Sequence, residues 1–420
     1  MHLKCTANAG HTPSNARLAI MVAVLGIGYF FSYFHRMSLA VISSDIIRDC
    51  SLDAVSLGIL GSAYYYTYAI IQIPCGFIVD RIGPRVTISC CLLITSLGSF
   101  WFGFTDIFNE LVISRAIIGF GVGCIYVPAL RAIREWGKAE QCGFFTGVIF
   151  SMGTLGALCA SAPLTFMVKF QGWRWIFYEI GILTLALAVI AWFAILGRRE
   201  KSAQSEAEAS VRTLPQHGQS GTIRHFWNLE LTALAIWFFC FFGTKLSFQG
   251  LWAAPYLSSV FGFTNEHIGF ALMSFGVGNV CAGPIVGFLA DHWGNRQLLL
   301  ATNVVVALLW LTMANWTGGM SLSFALFFYF LMGFFGGGAL TSGFTAIGLY
   351  AKKEYSGSIL GIINATAMVG TAIFTQSTGK LVTFFAPYGI VKSYQILYGI
   401  FFVLLSMCTM LVYFTQKREA

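Results

Sequence analysis

The sequence has few charged residues and few prolines for its length. Only 10% of its 420 residues are charged, and only nine are proline. Hydrophobic residues make up 57% of the chain, and the mean hydropathy is +0.74. A soluble domain of this size needs a larger polar shell around its core. The composition therefore excludes a soluble globular fold and indicates an all-α membrane protein with many spans.

The sequence also lacks the common patterns of catalysis. It contains no Walker phosphate loop, no GxSxG nucleophile elbow and no HExxH zinc motif. Its eleven cysteines form no CxxC pair, and no His/Cys cluster has the spacing of metal ligands. We therefore expect no enzyme, no ATP-driven pump, no cofactor and no metal site.

The apolar segments suggest two similar halves. A span needs about 20 apolar residues, and charged and turn residues leave room for twelve such segments, six on each side of a polar stretch. This pattern predicts twelve transmembrane helices in two pseudo-twofold-related six-helix bundles joined by a flexible linker. The predicted divisions are a tail at 1–17, a bundle at 18–197, a linker at 198–228, a bundle at 229–415 and a tail at 416–420.

The distribution of Lys and Arg predicts the orientation. If both termini are cytoplasmic, 17 of the 25 Lys and Arg residues lie inside, five lie outside and three lie within spans. Positive charge collects on the cytoplasmic side of membrane proteins, so the net charge of +8 requires no nucleic-acid partner. The short loops favour a bacterial inner membrane, with an organellar membrane as the alternative. We expect a monomer whose partner is the lipid bilayer.

One ten-residue signature occurs twice. GFIVDRIGPR covers residues 76–85, and GFLADHWGNR covers residues 287–296. The copies share Gly, Phe, Asp, Gly and Arg at matching positions, and Asp80 and Asp291 are 211 residues apart. Because this offset is half of the chain, an internal duplication is the first hypothesis.

Two cations within predicted spans follow almost the same offset. Arg36 lies in the first span and Lys245 in the seventh, 209 residues apart. Charges in a bilayer core are costly and therefore indicate function. If the halves are symmetric, both cations face one central cavity and bind an anion. The alternative is that each cation pairs with a backbone carbonyl or with an acid, and the acid nearest Arg36 is Asp45.

The signature G-x-x-x-D-R-x-G-x-R, its degenerate copy and the six-linker-six layout resemble the major facilitator superfamily. The resemblance implies a transporter that works by alternating access, and it implies that the signature is a cytoplasmic latch. The alternative is that the arginines only anchor the orientation. The residues implied in gating are Gly76, Asp80, Arg81, Gly83, Arg85, Gly287, Asp291, Gly294 and Arg296.

Within that superfamily, four segments resemble the anion:cation symporters. SYFHRMSLAVI is similar to the first helix of these symporters, and GSAYYYTYAIIQIPCGFIVDRIGPRVT is similar to the second helix. APYL after Trp252 resembles the seventh helix, and GIINATAMVG resembles the eleventh. The family carries sugar acids and other carboxylates. The resemblance implies substrate binding by Arg36, Lys245, Tyr68, Gln72, Trp252, Tyr256 and Asn364.

The chain departs from this family at its proton-coupling acids. His35 occupies the position of the first-helix Asp, and SRAIIGFGVGCIYVP lacks the fourth-helix Glu. His35 titrates near neutral pH and is one candidate proton carrier, with a structural histidine as the equal alternative. Glu179 is a second candidate, or it pairs with Arg174. Arg115 matches a fourth-helix R-x-x-x-G element and either organises charge or is structural.

Glycine repeats indicate close helix crossings. GFFTGVIFSMGTLGA begins at Gly143, and GSILGIINATAMVGT begins at Gly357, 214 residues later. Each segment contains G-x-x-x-G, a pattern that lets helix backbones approach closely. We expect these segments to serve helix packing rather than a chemical role in the site.

Together these features predict a secondary transporter of a small organic anion, a carboxylate or a phosphate-bearing metabolite, by proton-coupled symport. The expected partners are that substrate and a proton or another coupling ion. The alternative is an exporter or uncoupled exchanger of zwitterionic or amphipathic molecules such as amino acids or drugs.

Overall fold

The computed structural model describes residues 15–137, 139–196, 229–316, 318–351 and 356–415. The predicted linker 198–228, the tail 416–420 and most of the tail 1–17 lie outside the described residues. The side chain of Asp291 also lies outside this description.

The described chain is helical, and twelve of its segments are long and apolar enough to cross a membrane, as predicted. The fold is therefore that of an all-α multi-pass membrane protein. The α-helices are α1 (Asn15–Cys50), α2 (Ala54–Phe104), α3 (Phe108–Gly123), α4 (Tyr126–Trp136), α5 (Ala139–Cys159), α6 (Ala162–Gln171), α7 (Trp173–Ala194), α8 (Leu229–Ser247), α9 (Ala253–Phe261), α10 (Asn265–Trp293), α11 (Asn295–Asn315), α12 (Leu322–Tyr350), α13 (Ser356–Phe385) and α14 (Ile390–Thr415).

Helix α2 contains two spans in one continuous element. The spans are Ala54–Gln72 and Pro74–Phe104, and non-helical backbone interrupts the second of them at Gly83. Within the first copy of the signature, the helix continues through Asp80 and kinks at the second glycine, whose positive φ of 79° suits a residue without a side chain.

The seventh span is interrupted near its middle. It runs over Leu229–Phe261 and consists of α8, a π-helical turn at Phe248–Trp252 and α9. A π turn adds a residue to the helical repeat and rotates the faces of the helix that follows. Side chains before and after this turn therefore point in directions that a regular helix would not give them.

Contacts divide the chain into two compact units. The first unit contains the described residues among Met1–Arg36, Tyr66–Ala157 and Gln171–Gly221. The second contains Met37–Tyr65, Leu158–Phe170 and the described residues among Thr222–Ala420. These units do not follow the chain order of the two predicted bundles, whose boundaries stay a prediction.

The second unit includes parts of α1, α2 and α6 because these segments pack against helices of the second half of the chain. A Cβ atom added at Gly58 would lie 3.0 Å from the carbonyl oxygen of Thr375. A Cβ added at Gly379 would overlap the carbonyl oxygen of Ala54. Lys169 at the end of α6 pairs with Glu266 in the first turn of α10.

Each unit contains one close helix crossing, at matching positions of the repeat. A side chain at Gly156 would overlap the carbonyl oxygen of Phe30 in the first unit. One at Gly370 would overlap the carbonyl oxygen of Phe239 in the second. The two glycines are 214 residues apart and the two phenylalanines 209 apart, so the crossing belongs to the duplicated pattern.

The predicted G-x-x-x-G pairs are not the residues at these crossings. Gly143, Gly147 and Gly361 have open space where a Cβ would stand. The segments were assigned correctly to close packing, but the assignment of the contact to those glycines was wrong. Linear spacing identifies a small-residue face, whereas the rotation of each helix decides which glycine meets the neighbouring backbone.

Candidate functional site

Arg36 lies between two tyrosine rings of the first unit. Its side chain is on α1, and the residue is 5% exposed. Its Cζ atom lies 4.5 Å from the ring centroid of Tyr33 and 5.0 Å from that of Tyr68. Aromatic faces attract a cation by roughly 0.5–2 kcal/mol without neutralising it. The structure therefore places the predicted pair Arg36 and Tyr68 together.

Further tyrosines extend this group and were missed in the sequence. The ring centroids of Tyr29 and Tyr33 are 5.1 Å apart, and Tyr29 stacks on Tyr126 at 4.9 Å. Tyr29, Tyr33 and Arg36 have the i, i+4, i+7 spacing of one helix face, a signal that the sequence offered. Tyr126 begins α4, and only the tertiary structure brings it to α1.

His35 is buried on another side of α1. The residue is 0% exposed, and its ring centroid lies 6.0 Å from that of Phe177. The Oγ atom of Ser99 lies 3.3 Å from its Nε2 atom and donates its own hydrogen to the carbonyl oxygen of Thr95. While Ser99 donates to Thr95, its oxygen accepts from the ring tautomer that carries its hydrogen on Nε2. This environment favours the structural alternative for His35.

Arg115 supports the backbone of α1 directly before Arg36. Its Nη1 atom donates a hydrogen bond of 3.1 Å to the carbonyl oxygen of His35. The residue is 1% exposed, and its Cζ atom lies 5.8 Å from the ring centroid of Phe102. These contacts favour the structural role, and the role in organising charge stays a prediction.

Glu179 is half-buried near the start of α7. Its Oε2 atom accepts a hydrogen bond of 2.8 Å from Gln171. Arg174, its alternative partner in the sequence interpretation, pairs instead with Asp106. A role of Glu179 in proton coupling stays a prediction.

Lys245 lies in an aromatic pocket of the second unit. The residue is 6% exposed, and its Nζ atom lies 5.9 Å from the ring centroids of both Phe241 and Phe275. The pocket combines an ammonium group with almost entirely apolar walls. It is lined by Phe241, Thr244, Lys245, Phe248, Phe275, Val306, Trp310, Met332 and Gly336.

The hydrogen-bond partner of Lys245 is neutral. Its Nζ atom donates to Oδ1 of Asn279 at 2.9 Å. None of the carboxylates in the described part of the chain lies within ion-pair distance of this ammonium. Asn279 was not among the predicted site residues, because an asparagine within an apolar span carries no charge to mark it. Among the described residues, no group of three His, Cys, Asp or Glu residues could hold a metal ion.

Trp252 and Tyr256 are buried away from the lining of the Lys245 pocket. The Nε1 atom of Trp252 donates to the carbonyl oxygen of Thr375 at 3.2 Å. The ring of Tyr256 packs edge-on against Tyr394 at 5.2 Å and Tyr398 at 4.9 Å. Trp252 and Tyr256 follow Lys245 by seven and eleven residues, so they lie about 10 and 16 Å further along the helix axis. Their role in substrate binding stays a prediction.

Gln72 and Asn364 are half-buried polar residues of different units. Gln72 donates a long hydrogen bond of 3.4 Å to the carbonyl oxygen of Gly123. It follows Tyr68 by one helical turn, so both project from the same face of α2. Asn364 lies on α13, and its predicted contact with substrate stays a prediction.

The two copies of the signature have the same backbone conformation at their second glycine. Gly83 has a φ of 79° and Gly294 a φ of 85°. Only glycine adopts this region at little cost, so both positions require it. A Cβ at the first glycine of each copy, Gly76 or Gly287, would meet no atom within 4 Å. Close packing therefore does not explain these first glycines.

Asp80 pairs with Arg131 of α4. Arg131 also donates to Glu135 at 2.8 Å, so it links two carboxylates within the first unit. This network joins the first copy of the signature to the fourth span.

The last arginine of each copy stacks on the last span of its half. The Cζ atom of Arg85 lies 4.8 Å from the ring centroid of Trp192. That of Arg296 lies 5.0 Å from Tyr413, whose carbonyl oxygen also accepts from Arg296 at 2.8 Å. Arg81 is exposed. These contacts support an anchoring role for Arg85 and Arg296, and their role in gating stays a prediction.

Comparisons with known proteins agree with this architecture. The family model described as Major Facilitator Superfamily matches residues 25–252 and 238–420. Among solved structures, a bacterial homolog to the human lysosomal transporter Spinster, inward-facing and occupied, has a TM-score of 0.76 and 17% identity over 96% of this chain and 97% of that chain. At this identity the likeness shows the fold alone.

Two curated relatives carry names of anion transporters. The probable sulfoacetate transporter SauU of Cupriavidus necator is 25% identical and covers 69% of each chain. The probable galactarate/D-glucarate transporter GudP of Escherichia coli (strain K12) is 23% identical and covers 90% of each chain.

Proposed function

Because the chain belongs to the Major Facilitator Superfamily, we propose that it moves a small organic anion across a membrane by proton-coupled alternating access. The substrate carries a carboxylate or a phosphate group, and Arg36 and Lys245 bind that group. The sequence repeat pairs these two cations, and the structure describes Arg36 in the first unit and Lys245 in the second. The names of the two relatives support this substrate class, since sulfoacetate and the aldarates are organic anions.

The observation that carries the proposal is the buried ammonium of Lys245. A charge in a membrane span costs several kcal/mol unless it is compensated. Asn279 accepts a hydrogen bond from one N–H of the ammonium, but an amide does not neutralise a charge. A bound anion would supply the missing compensation, so the site favours negatively charged ligands.

The proposed location is a bacterial cytoplasmic membrane with both termini on the cytoplasmic side. The excess of Lys and Arg in the predicted inner segments supports this orientation. In it, the two copies of the signature face the cytoplasm, where we propose that Asp80 and Arg131 act in gating.

Anion binding is expected to raise the melting temperature of the purified protein. A ligand at 100 times its Kd stabilises the folded state by about 2.7 kcal/mol. The assay applies sulfoacetate, D-glucarate, glucose 6-phosphate and neutral glucose separately and follows thermal unfolding. A shift with at least one anion and none with glucose is expected. Zwitterionic amino acids are tested in the same assay. Melting-temperature shifts with these molecules alone would instead support an exchanger of such molecules.

Replacement of His35 tests the coupling. If His35 carries the proton, His35→Ala retains substrate counterflow but loses accumulation driven by a pH gradient, because only the second process requires net proton movement. Proteoliposomes loaded with substrate measure the first process, and an imposed gradient measures the second. Ser99→Ala, which removes the hydrogen-bond acceptor of Nε2 but keeps the imidazole, is the control.

We expect His35→Ala to keep counterflow but lose accumulation driven by the pH gradient, and we expect Ser99→Ala to keep both. An equal loss of both modes in His35→Ala would assign the ring the structural role that its burial favours. The proton carrier would then have to be sought elsewhere, with Glu179 as the next candidate.

A further inference from the structure

The amide of Asn279 has a defined orientation at Lys245. Lysine offers only donors, so the oxygen and not the nitrogen of the amide faces Nζ, at 2.9 Å. Lys245 is on α8 and Asn279 on α10, so this hydrogen bond joins two spans of the second unit.

The backbone of α12 leaves room for this pair at two adjacent glycines. A Cβ at Gly337 would lie 2.6 Å from Oδ1 of Asn279. A Cβ at Gly336 would lie 3.3 Å from Cε and 3.5 Å from Nζ of Lys245. A methyl group at Gly337 would therefore displace the amide oxygen of Asn279, whereas one at Gly336 would only touch the end of the Lys245 side chain. The remaining walls of the pocket are aromatic or aliphatic apart from Thr244.

A neutral residue occupies the matching place in the other half. Tyr68 and Asn279 are 211 residues apart, the same offset as between the two signatures, and Arg36 and Lys245 are 209 apart. Tyr68 contacts Arg36 through its ring, and Asn279 contacts Lys245 through its amide. In both halves, a neutral side chain of the following span thus contacts the cation.

Charge explains why a neutral partner matters. An amide oxygen orients an ammonium group but leaves its full positive charge for a ligand. A carboxylate in the same place would form an internal ion pair and compete with any anion. We propose that Asn279 is the positioning residue that makes the Lys245 site selective for anions. This inference rests on the proposed function of Lys245.

Asparagine-to-aspartate and asparagine-to-alanine changes at this position separate charge from shape. Aspartate keeps the shape of the side chain, so a purely structural role predicts that Asn279→Asp is milder than Asn279→Ala. The charge argument predicts the reverse. We expect Asn279→Asp to raise the KM for anion uptake by at least about 30-fold and Asn279→Ala by less than about tenfold. The probes are sulfoacetate and D-glucarate, with the full-length protein in proteoliposomes.

Thermal unfolding without any ligand gives a second readout that does not depend on substrate identity. Asn279→Asp supplies a counter-ion to a buried ammonium, so its melting temperature should equal or exceed that of the wild type. Asn303→Asp is the matched control, because Asn303 is buried in the same unit but accepts from Trp237 and donates to Leu299. An unpaired buried carboxylate there should lower the melting temperature.

Each outcome decides one of the two claims. Wild-type KM values in Asn279→Asp, or a melting temperature as low as that of Asn303→Asp, would overturn the role of Asn279. If Lys245→Ala loses transport in that case, the proposed function stands without the role of Asn279. If neither probe binds the wild type, the unliganded melting temperatures still decide the role of Asn279, and the proposed substrate class is judged by the wider ligand assay.

Discussion

Replacing Arg36 or Lys245 with alanine is expected to abolish anion transport while the protein still folds. Removal of one partner of a buried charge pair costs about 2–5 kcal/mol, which corresponds to roughly 30- to 5,000-fold weaker binding. Both side chains are buried in spans, where no water can take over the lost interaction. Uptake of the anion with the largest thermal shift, measured in proteoliposomes, checks this expectation.

Variants that keep the charge should retain part of the activity. Lys245→Arg preserves a cation, and Arg36→Lys preserves the charge but loses the planar group that lies between Tyr33 and Tyr68. Lys169→Gln is the matched control, since it removes a cation whose side chain and whose acidic partner, Glu266, are both exposed. Such pairs contribute about 0–1 kcal/mol, so near-normal uptake is expected. Wild-type uptake by either alanine variant would contradict the anion site.

Alanine at the crossing glycines is expected to destabilise the fold strongly. A methyl group at Gly156 would meet the carbonyl of Phe30, and one at Gly370 would meet that of Phe239. Because the obstacle is backbone, a whole helix must move to make room. Overpacking costs typically 1–3 kcal/mol, and more where the neighbour is rigid. Lower yields of monodisperse protein and lower melting temperatures should follow in both variants.

The same helices offer matched controls for this experiment. Gly147 lies on α5 with Gly156, and Gly361 lies on α13 with Gly370, and neither control glycine has an atom within 4 Å of an added Cβ. Gly147→Ala and Gly361→Ala should therefore be neutral or slightly stabilising, since alanine favours helix over glycine by about 0.5–1 kcal/mol. Equal melting temperatures for the crossing and control variants would show that the crossings tolerate a methyl group.

Much of the candidate site was visible in the sequence because charge is rare in membrane spans. Arg36, Lys245 and Arg115 are conspicuous in a chain with 10% charged residues. The second copy of the signature supplied an offset that paired Arg36 with Lys245. Asn279, Tyr29 and Tyr126 carry no charge to mark them. The repeat offset from Tyr68 points to Asn279 and the helical spacing from Arg36 points to Tyr29, whereas Tyr126 had no such marker.

The roles of polar residues depended on their surroundings rather than on their type. His35 follows the family position of a coupling acid, yet its ring is buried beside Ser99 and Phe177. Tyr256 matches a family motif, yet it lies eleven residues after Lys245, beyond the π turn at Phe248–Trp252, and outside the lining of the Lys245 pocket. A motif gives the position of a residue along the chain, whereas its neighbours depend on how the helices pack.

The sequence alone determined the all-α membrane fold, the number of spans and the duplication, because burial in lipid imposes long apolar segments and makes charge rare. It also identified the two buried cations. Only the tertiary structure decided that Tyr33 and Tyr68 contact Arg36, that Asn279 contacts Lys245, and that Gly156 and Gly370 form the close crossings. Those contacts join residues of different spans or depend on helix rotation, and they are set by packing between helices that linear spacing does not contain.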